Sequence, residues 1–179
     1  MKRKLRRVIT GHNEEGKSIV VFDGGPDQVI DILFEMWVTH GTPANNSREG
    51  DAASMHDIRE VMSAGGAPAN GSLFRFWITN PEDPALSTEE LEQRWAAMAA
   101  SWDAEHLRPD TTRDPRMHRT KTVDYIILLE GELTMLLDEG EIDLKPFDVV
   151  IQRGTNHAWI NRGSKPALAA AIMIDAEPL

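Results

Sequence analysis

The chain has 179 residues, of which 41% are hydrophobic and 27% are charged, proportions typical of one globular domain with a sizeable core. Its formal net charge is −10 and it has no cysteine, which argues against a nucleic-acid partner and excludes disulfides and cysteine nucleophiles. No apolar run approaches the roughly 20 residues of a membrane helix. We therefore expect a single domain over residues 1–179, in the cytoplasm, with no membrane partner.

Residues 1–43 carry strand signals separated by turns. The β-branched and aromatic residues of Val8–Thr10 and Ser18–Phe22 predict two strands, and the sequences NEEG and DGGP are typical of turns. The sequence ILFEMWV, residues 32–38, predicts a further strand, although its alternation of apolar and polar residues is imperfect.

Residues 44–115 combine loop, strand and helix signals. The first part is rich in Asn, Ser, Gly and Ala, with a short helix predicted in MHDIREVMSAGG, and is interpreted as an insertion or as the cover of a pocket. SLFRFWIT, residues 72–79, predicts a strand. A helix then begins at a capping box formed by Ser87 and Glu90. The apolar residues of this helix recur on one face, and they are Leu91, Trp95, Met98 and Trp102. We interpret this stripe as a surface that packs against the sheet or a second subunit, rather than as a ligand-binding face.

Residues 116–176 alternate short strand sequences with Gly-bearing turns, which predicts an antiparallel sandwich or barrel. Residues two apart in a strand face the same side, so His118 shares a face with Thr120, and His157 shares a face with Trp159. If these faces and that of Asp124 look inward, one interior holds two imidazoles and a carboxylate.

Two imidazoles and one carboxylate are a sufficient ligand set for a divalent metal with open coordination positions. The spacing of His118, Asp124 and His157 does not by itself force them to converge. Asp124 could instead pair with an imidazole, bind Arg119 or Arg153, or serve as a general acid or base without a metal.

The sequence MHRTKTVDYIILLEGELTMLL, residues 117–137, resembles the first motif of the cupins, a family of small β-barrels. His118 matches the first histidine of that motif and Gly131 matches its closing glycine. Asp124 takes the place of a glutamate that is one methylene longer. Thr120 stands where a second metal-binding histidine belongs, and a threonine hydroxyl is a poor metal ligand.

The sequence KPFDVVIQRGTNHAWIN, residues 145–161, resembles the second cupin motif. Gly154, His157 and Asn161 fit its spacing. Phe147 replaces the glycine that opens the motif, and Gln152 replaces its proline with a spacing one residue shorter. The resemblance covers about the last third of the chain.

The resemblance implies an all-β double-stranded β-helix (cupin) barrel, with N-terminal strands and one long α-helix outside it, assembled as a homodimer. It implies an enzyme that acts in the barrel pocket on a compact organic acid or aromatic metabolite, as a decarboxylase, isomerase or oxygenase. His118, Asp124 and His157 are the predicted catalytic residues and would also bind the metal, Fe, Mn, Ni or Zn. Thr120, Gln152 and Trp159 are the predicted substrate-binding residues.

Two alternatives stay open at this point. The same site could perform acid–base chemistry without a metal, through His157 and Asp124, or the domain could bind a metabolite without catalysis. Trp159 could equally be a core residue. The remaining histidines have no partner spacing and are expected at the surface: His12, His40, His56 and His106.

Overall fold

The computed structural model describes residues 4–47 and 58–177. In these residues the strands form three antiparallel sheets, in the orders β1-β2, β10-β7-β8 and β3-β4-β5-β11-β6-β9. The strands are β1 (Arg7–His12), β2 (Ser18–Gly24), β3 (Gln28–Ile30), β4 (Leu33–Thr39), β5 (Ser72–Thr79), β6 (Thr122–Glu130), β7 (Leu133–Leu137), β8 (Glu141–Leu144), β9 (Val149–Arg153), β10 (His157–Ile160) and β11 (Ala167–Asp175).

The six-stranded and three-stranded sheets enclose one hydrophobic core. Leu73, Leu128 and Ala169 reach it from the larger sheet, and Leu133 and Leu144 reach it from the smaller one. Burial alternates along β5 and β6, so the period-two pattern places Leu73 and Leu128 correctly. The predicted all-β barrel is confirmed.

The β1-β2 hairpin forms a separate sheet beside the barrel. Arg7 ties it to the body, because its guanidinium donates to the Met36 carbonyl at 3.0 Å and pairs with Asp27 at 2.9 Å. Most of β2 is exposed although its residues are apolar, including Val20 and Phe22. This hairpin therefore presents an apolar surface outside the barrel.

Two α-helices lie outside the sheets, α1 (Ile58–Ser63) and α2 (Thr88–Ser101). The predicted capping box is confirmed: the Ser87 hydroxyl accepts from the Glu90 amide at 3.2 Å, and the Glu90 carboxylate accepts from the Ser87 amide at 2.9 Å. Within residues 4–47 and 58–177, no helix has the length and apolar character needed to cross a membrane.

Three residues of the two sequence motifs, Gly131, Gly154 and Asn161, stabilise turns or strand ends of the barrel. Gly131 has φ +86°, and an added Cβ would lie 2.8 Å from the Ala167 backbone. A side chain there would therefore both strain the backbone and clash with Ala167. Gly154 also has a positive φ, at the turn before β10. The buried Asn161 amide donates to the Thr79 and Lys165 carbonyls at 2.7 and 2.8 Å, which ties the end of β10 to β5.

Differences from the predicted elements are small. Strand β3 was not anticipated, because its three residues carry too short a pattern. The predicted helix in MHDIREVMSAGG is present as α1, while the first residues of that sequence, with His56, lie outside the described residues.

Candidate functional site

A cavity of about 180 Å³ lies between the two larger sheets, below α2. Strands β5, β6 and β11 supply one wall and β10 supplies the opposite one. Its lining includes the predicted site residues His118, Thr120, Asp124, His157 and Trp159. The structure therefore brings five of the six predicted site residues to the lining of one cavity, which is the geometry that the period-two pattern required.

His118 and His157 lie side by side because their backbones are paired. The amide of His118 donates to the His157 carbonyl at 2.8 Å, and the reciprocal bond measures 2.9 Å. Their ring centroids are 4.4 Å apart with the planes tilted by 47°. An isolated antiparallel bridge thus joins two segments nearly forty residues apart and fixes both imidazoles at the same depth.

A backbone carbonyl fixes each ring through its Nδ1 atom. Nδ1 of His118 lies 2.9 Å from the Arg116 carbonyl, and Nδ1 of His157 lies 2.9 Å from the Thr155 carbonyl. When Nδ1 carries the proton and donates it to the carbonyl, Nε2 is left as an acceptor. This is the ring state that a metal ion or a proton donor requires.

Both imidazoles are held neutral by burial. The pKa of His157 is lowered to about 3, chiefly by desolvation and, as a smaller cause, by the neighbouring His118 ring. Burial likewise lowers the pKa of His118, opposed by its bond to the Arg116 carbonyl. At neutral pH the two rings therefore act as acceptors or donors without charge.

Gln152 stands behind His157 rather than on the cavity wall. Its amide nitrogen donates to the Thr155 carbonyl at 2.9 Å and lies 3.0 Å from Nδ1 of His157, and its oxygen accepts from the Gly154 amide at 3.0 Å. Gln152 would therefore affect a bound molecule indirectly, by positioning the His157 ring. The predicted direct contact between Gln152 and a substrate has no support from this position.

Asp124 is 4% exposed, and its Oδ1 atom has no hydrogen-bond partner among the described residues. Burial raises its pKa to about 6, against the opposing effects of the Thr122 hydroxyl, the charge of Arg75 and the Thr120 hydroxyl. A buried oxygen without a partner costs free energy. Asp124 as a residue belongs to the cavity lining, although its Oδ1 atom is shielded from solvent.

The cation beside Asp124 is Arg75, not Arg119 or Arg153, both of which are exposed. Arg75 lines the cavity and forms a buried ion pair with Glu35, at 2.7 Å between Nη2 and Oε1. This pair was missed from the sequence. One signal for it was available in the sequence SLFRFWIT. Arg75 alternates with Leu73 and Trp77, so it faces inward with them, and a buried arginine needs an acidic partner.

Tryptophans form much of the remaining wall. Trp77 and Trp159 have ring centroids 5.8 Å apart, Trp159 meets His157 edge-on at 5.5 Å, and Trp95 stacks on His118 at 6.5 Å. Of the α2 stripe, three residues line the cavity: Trp95, Met98 and Trp102. The interpretation of this stripe as packing alone is corrected, because the space that it covers is a cavity.

The predicted metal set is met only in part. Two neutral imidazoles face the same cavity, as a divalent ion would require. Among the described residues, however, no three or more His, Asp or Glu side chains gather closely enough to hold an ion. The set His118, Asp124 and His157 therefore stays a prediction, and the residues present fit a resident metal incompletely.

The other residues singled out from the sequence lie away from the cavity. Tyr125 points outward and is 44% exposed, as predicted from its alternation with Asp124. His12, His40 and His106 are exposed, which agrees with their predicted surface positions.

The chain is similar in sequence to known proteins over most of its length. The Cupin domain family model matches residues 104–174. The chain is 55% identical over 167 residues to Phomopsin biosynthesis cluster protein C' of Diaporthe leptostromiformis, covering 89% of this chain and 72% of that protein. It is 36% identical over 176 residues to the Cupin-domain-containing oxidoreductase fogC of Aspergillus ruber (strain CBS 135680), covering 96% and 73%. A solved structure of a putative ethanolamine utilization protein q from Salmonella typhimurium LT2 matches 98% of this chain and 99% of that chain, with a TM-score of 0.41 and 11% identity.

Proposed function

Because the chain belongs to the cupin family, we propose that it is an enzyme that converts a compact organic acid or aromatic metabolite inside the barrel cavity. The observation that carries this proposal is the placement of His118 and His157 side by side on the lining of a cavity that also includes Asp124. Such a group of buried polar side chains in an apolar cavity is the usual form of an active site.

The residues of the chain divide into two roles. Asp124, whose pKa burial raises to about 6, would exchange a proton with the bound molecule. The neutral rings of His157 and His118 would hold that molecule through hydrogen bonds at Nε2, since Nδ1 of each ring is held by a carbonyl. Thr120 lies beside Asp124 and lines the same cavity, so it would position the same molecule. Trp159 would orient the apolar part of the molecule.

A metal-dependent enzyme is the second candidate, and the two neutral imidazoles at one depth favour it. His118 and His157, with Asp124 as the predicted third ligand, would hold Fe, Mn, Ni or Zn. When bound, such an ion supplies Lewis-acid or dioxygen chemistry. The name of the Aspergillus ruber relative, a cupin-domain-containing oxidoreductase, supports an oxygenase among the three reaction types. The Diaporthe relative, named as a biosynthesis cluster protein, supports a biosynthetic substrate.

We also propose that the protein is a homodimer in the cytoplasm. The outer face of the six-stranded sheet carries an apolar row, in which Phe74, Ile172, Tyr125 and Ile151 are neighbours by strand register. Three of these side chains are more than a third exposed. A second copy of the chain would cover such a row. The absence of cysteine supports a reducing compartment.

The test begins with protein purified without chelators. Elemental analysis of that protein, with mass spectrometry of any co-purified small molecule, identifies metal and ligand together. Turnover is then measured over a panel of organic acids and aromatic compounds, for the wild type, for His157→Ala and for the control His40→Ala at an exposed position.

We expect His157→Ala to lose about 100-fold or more in kcat/KM, because it removes a predicted catalytic group from the wall of the cavity. His40→Ala should leave turnover unchanged. Full turnover in His157→Ala would contradict the proposal. Binding without any turnover across the panel would instead support a non-catalytic metabolite-binding domain.

A further inference from the structure

We infer that a surface groove beside the barrel cavity binds a phosphate group. The groove has a volume of about 170 Å³ and lies where β6 begins and β9 ends. Leu107 and Thr120 line both spaces, so the groove adjoins the cavity, but the charged side chains of the groove are not on the cavity lining. The inference goes beyond the proposed function, because it concerns residues to which that function gives no role.

The groove is positively charged although the chain is acidic. Three cationic residues belong to its lining, Arg119, Lys121 and Arg153, against one carboxylate, Glu177. With the His106 ring taken as neutral, three positive charges and one negative charge leave a formal charge of +2 on the lining. The whole chain has a formal net charge of −10. The groove therefore has the opposite sign to the chain, and its charge matches that of a dianion.

The three cationic side chains of the groove are not neutralised by the protein. Among the described residues, the side chains of Arg119, Lys121 and Arg153 have neither a hydrogen bond nor an ion pair. By contrast, Arg116 and Arg162 each pair with a carboxylate at 2.7 Å. All three residues of the groove are exposed, so a dissolved anion can reach them.

The backbone brings these cations to one side of the sheet. Arg119 and Lys121 lie just before β6 and, like Val123 within it, alternate with buried residues, so their side chains leave on the outer side. Val123 is paired directly with Arg153 across β6 and β9. Like charges at neighbouring positions of a sheet repel each other. An anion bound between them would remove this unfavourable energy.

Gly65 leaves room for the aliphatic part of Lys121. The Lys121 amide donates to the Gly65 carbonyl at 2.8 Å, and the Lys121 carbonyl accepts from the Ala176 amide at 3.1 Å. Gly65 has φ +110°, and a Cβ added there would lie 3.1 Å from Cβ, Cγ and Cδ of Lys121. The methylene groups of Lys121 therefore pack on a bare backbone while the residue stays exposed.

Phosphate is the anion that this set of side chains favours. A guanidinium group binds two phosphate oxygens through parallel hydrogen bonds, and a lysine ammonium binds phosphate as a point charge. A phosphate monoester carries about −1.5 to −2 at pH 7, close to the charge that the groove can neutralise, whereas a carboxylate carries one charge. Repulsion from distant acidic residues is screened beyond about 8 Å at physiological ionic strength, so the adjacent cations dominate.

Isothermal titration calorimetry on the full chain, at constant ionic strength, tests the inference with inorganic phosphate, glycerol 3-phosphate and acetate. We expect both phosphate compounds to bind at least about fivefold more tightly than acetate, because they carry up to twice its charge. Tighter binding of glycerol 3-phosphate would identify a phosphate monoester as the ligand, and tighter binding of inorganic phosphate would identify the free ion. Both of these outcomes support the site.

Glutamine variants localise the binding. Lys121→Gln removes one charge of the groove and should weaken phosphate binding about fivefold, the effect of one partly exposed charge contact. The double variant Arg119→Gln/Lys121→Gln should weaken it at least about tenfold. Lys145→Gln is the matched control, because Lys145 is exposed and is not on the groove lining. It changes the net charge of the chain equally and should leave the affinity unchanged. Thermal unfolding without phosphate shows that each variant is folded.

Acetate binding as tightly as phosphate would overturn the inference, because the groove would then not select a dianion. Equal losses in Lys121→Gln and Lys145→Gln would also overturn it, since any exposed lysine would then serve as well. The absence of phosphate binding to the wild type would do the same. The proposed function is tested separately, by the turnover of His157→Ala, and none of these results bears on it.

Discussion

The two faces of the six-stranded sheet both depart from the usual distribution of polar and apolar residues, because charged residues are buried among the apolar ones on the inner face and apolar residues are exposed on the outer face. The inner face buries Glu35, Arg75 and Asp124. The outer face exposes Tyr125 and Ile151, which are neighbours across β6 and β9. In an ordinary antiparallel sheet the inner face is apolar and the outer face polar.

The difference shows what each face is for. Buried charges cost free energy unless they are paired; the inner face pairs Glu35 with Arg75 and places Asp124 on the cavity lining. An exposed apolar row is equally unfavourable in water. The inner face is therefore suited to a small ligand, and the outer face to a protein surface.

The largest expected effect comes from breaking the inner ion pair with Glu35→Ala. Arg75 would be left buried and unpaired, so we expect a loss of about 3–5 kcal/mol in the free energy of unfolding. Urea denaturation measures it. The matched control is Glu141→Ala, which breaks the exposed pair with Arg162 and should cost less than about 1 kcal/mol. Equal losses in the two variants would show that the inner face does not bury this pair.

Asp124→Asn removes the second inner charge. Burial raises the pKa of Asp124 from 3.8 to about 6, so the folded state binds the proton more tightly than the unfolded state. Its contribution to stability is present below about pH 4 and is lost as the pH rises through about 6. At pH 7.5 the charged carboxylate therefore costs up to about 3 kcal/mol.

The Asn variant should consequently be more stable than the wild type at pH 7.5, by up to about 3 kcal/mol. This advantage should shrink to near zero at pH 4. Thermal unfolding of both proteins across this pH range measures it. A difference that does not change with pH would mean that Asp124 titrates normally and is not buried as described.

The smallest effect on stability is expected at the outer face. Ile151→Lys should change the free energy of unfolding of one subunit by less than about 0.5 kcal/mol, but it should dissociate the proposed dimer because it places a charge within the apolar row. Ile142→Lys is the control, since Ile142 is exposed on β8 of the other sheet. Sedimentation velocity distinguishes monomer from dimer. A wild-type monomer, or two variants that behave alike, would count against the dimer.

The sequence predicts the strands of the barrel well because their period-two patterns are local. The joint placement of His118 and His157 on the cavity wall follows from those patterns and from the turn residues Gly131 and Gly154. The pairing of Arg75 with Glu35 could not be predicted, because it depends on the register between β4 and β5.

The α2 stripe shows a different limit. Its 3.6-residue period indicates that Trp95, Met98 and Trp102 face the protein, but a period does not reveal whether the space opposite is filled. Gln152 was likewise assigned to a substrate by its place in the motif, whereas the turn around Gly154 directs its amide to His157.

The most direct test of the account is a long-range ¹H–¹⁵N spectrum of the histidine rings, recorded with and without a bound aromatic compound or organic acid. The account predicts that the resonances of His118 and His157 move together on binding, while those of the exposed His12 and His40 stay in place. Unchanged His118 and His157 resonances in the presence of a saturating ligand would show that molecules bind elsewhere, and would contradict the assignment of this cavity as the active site.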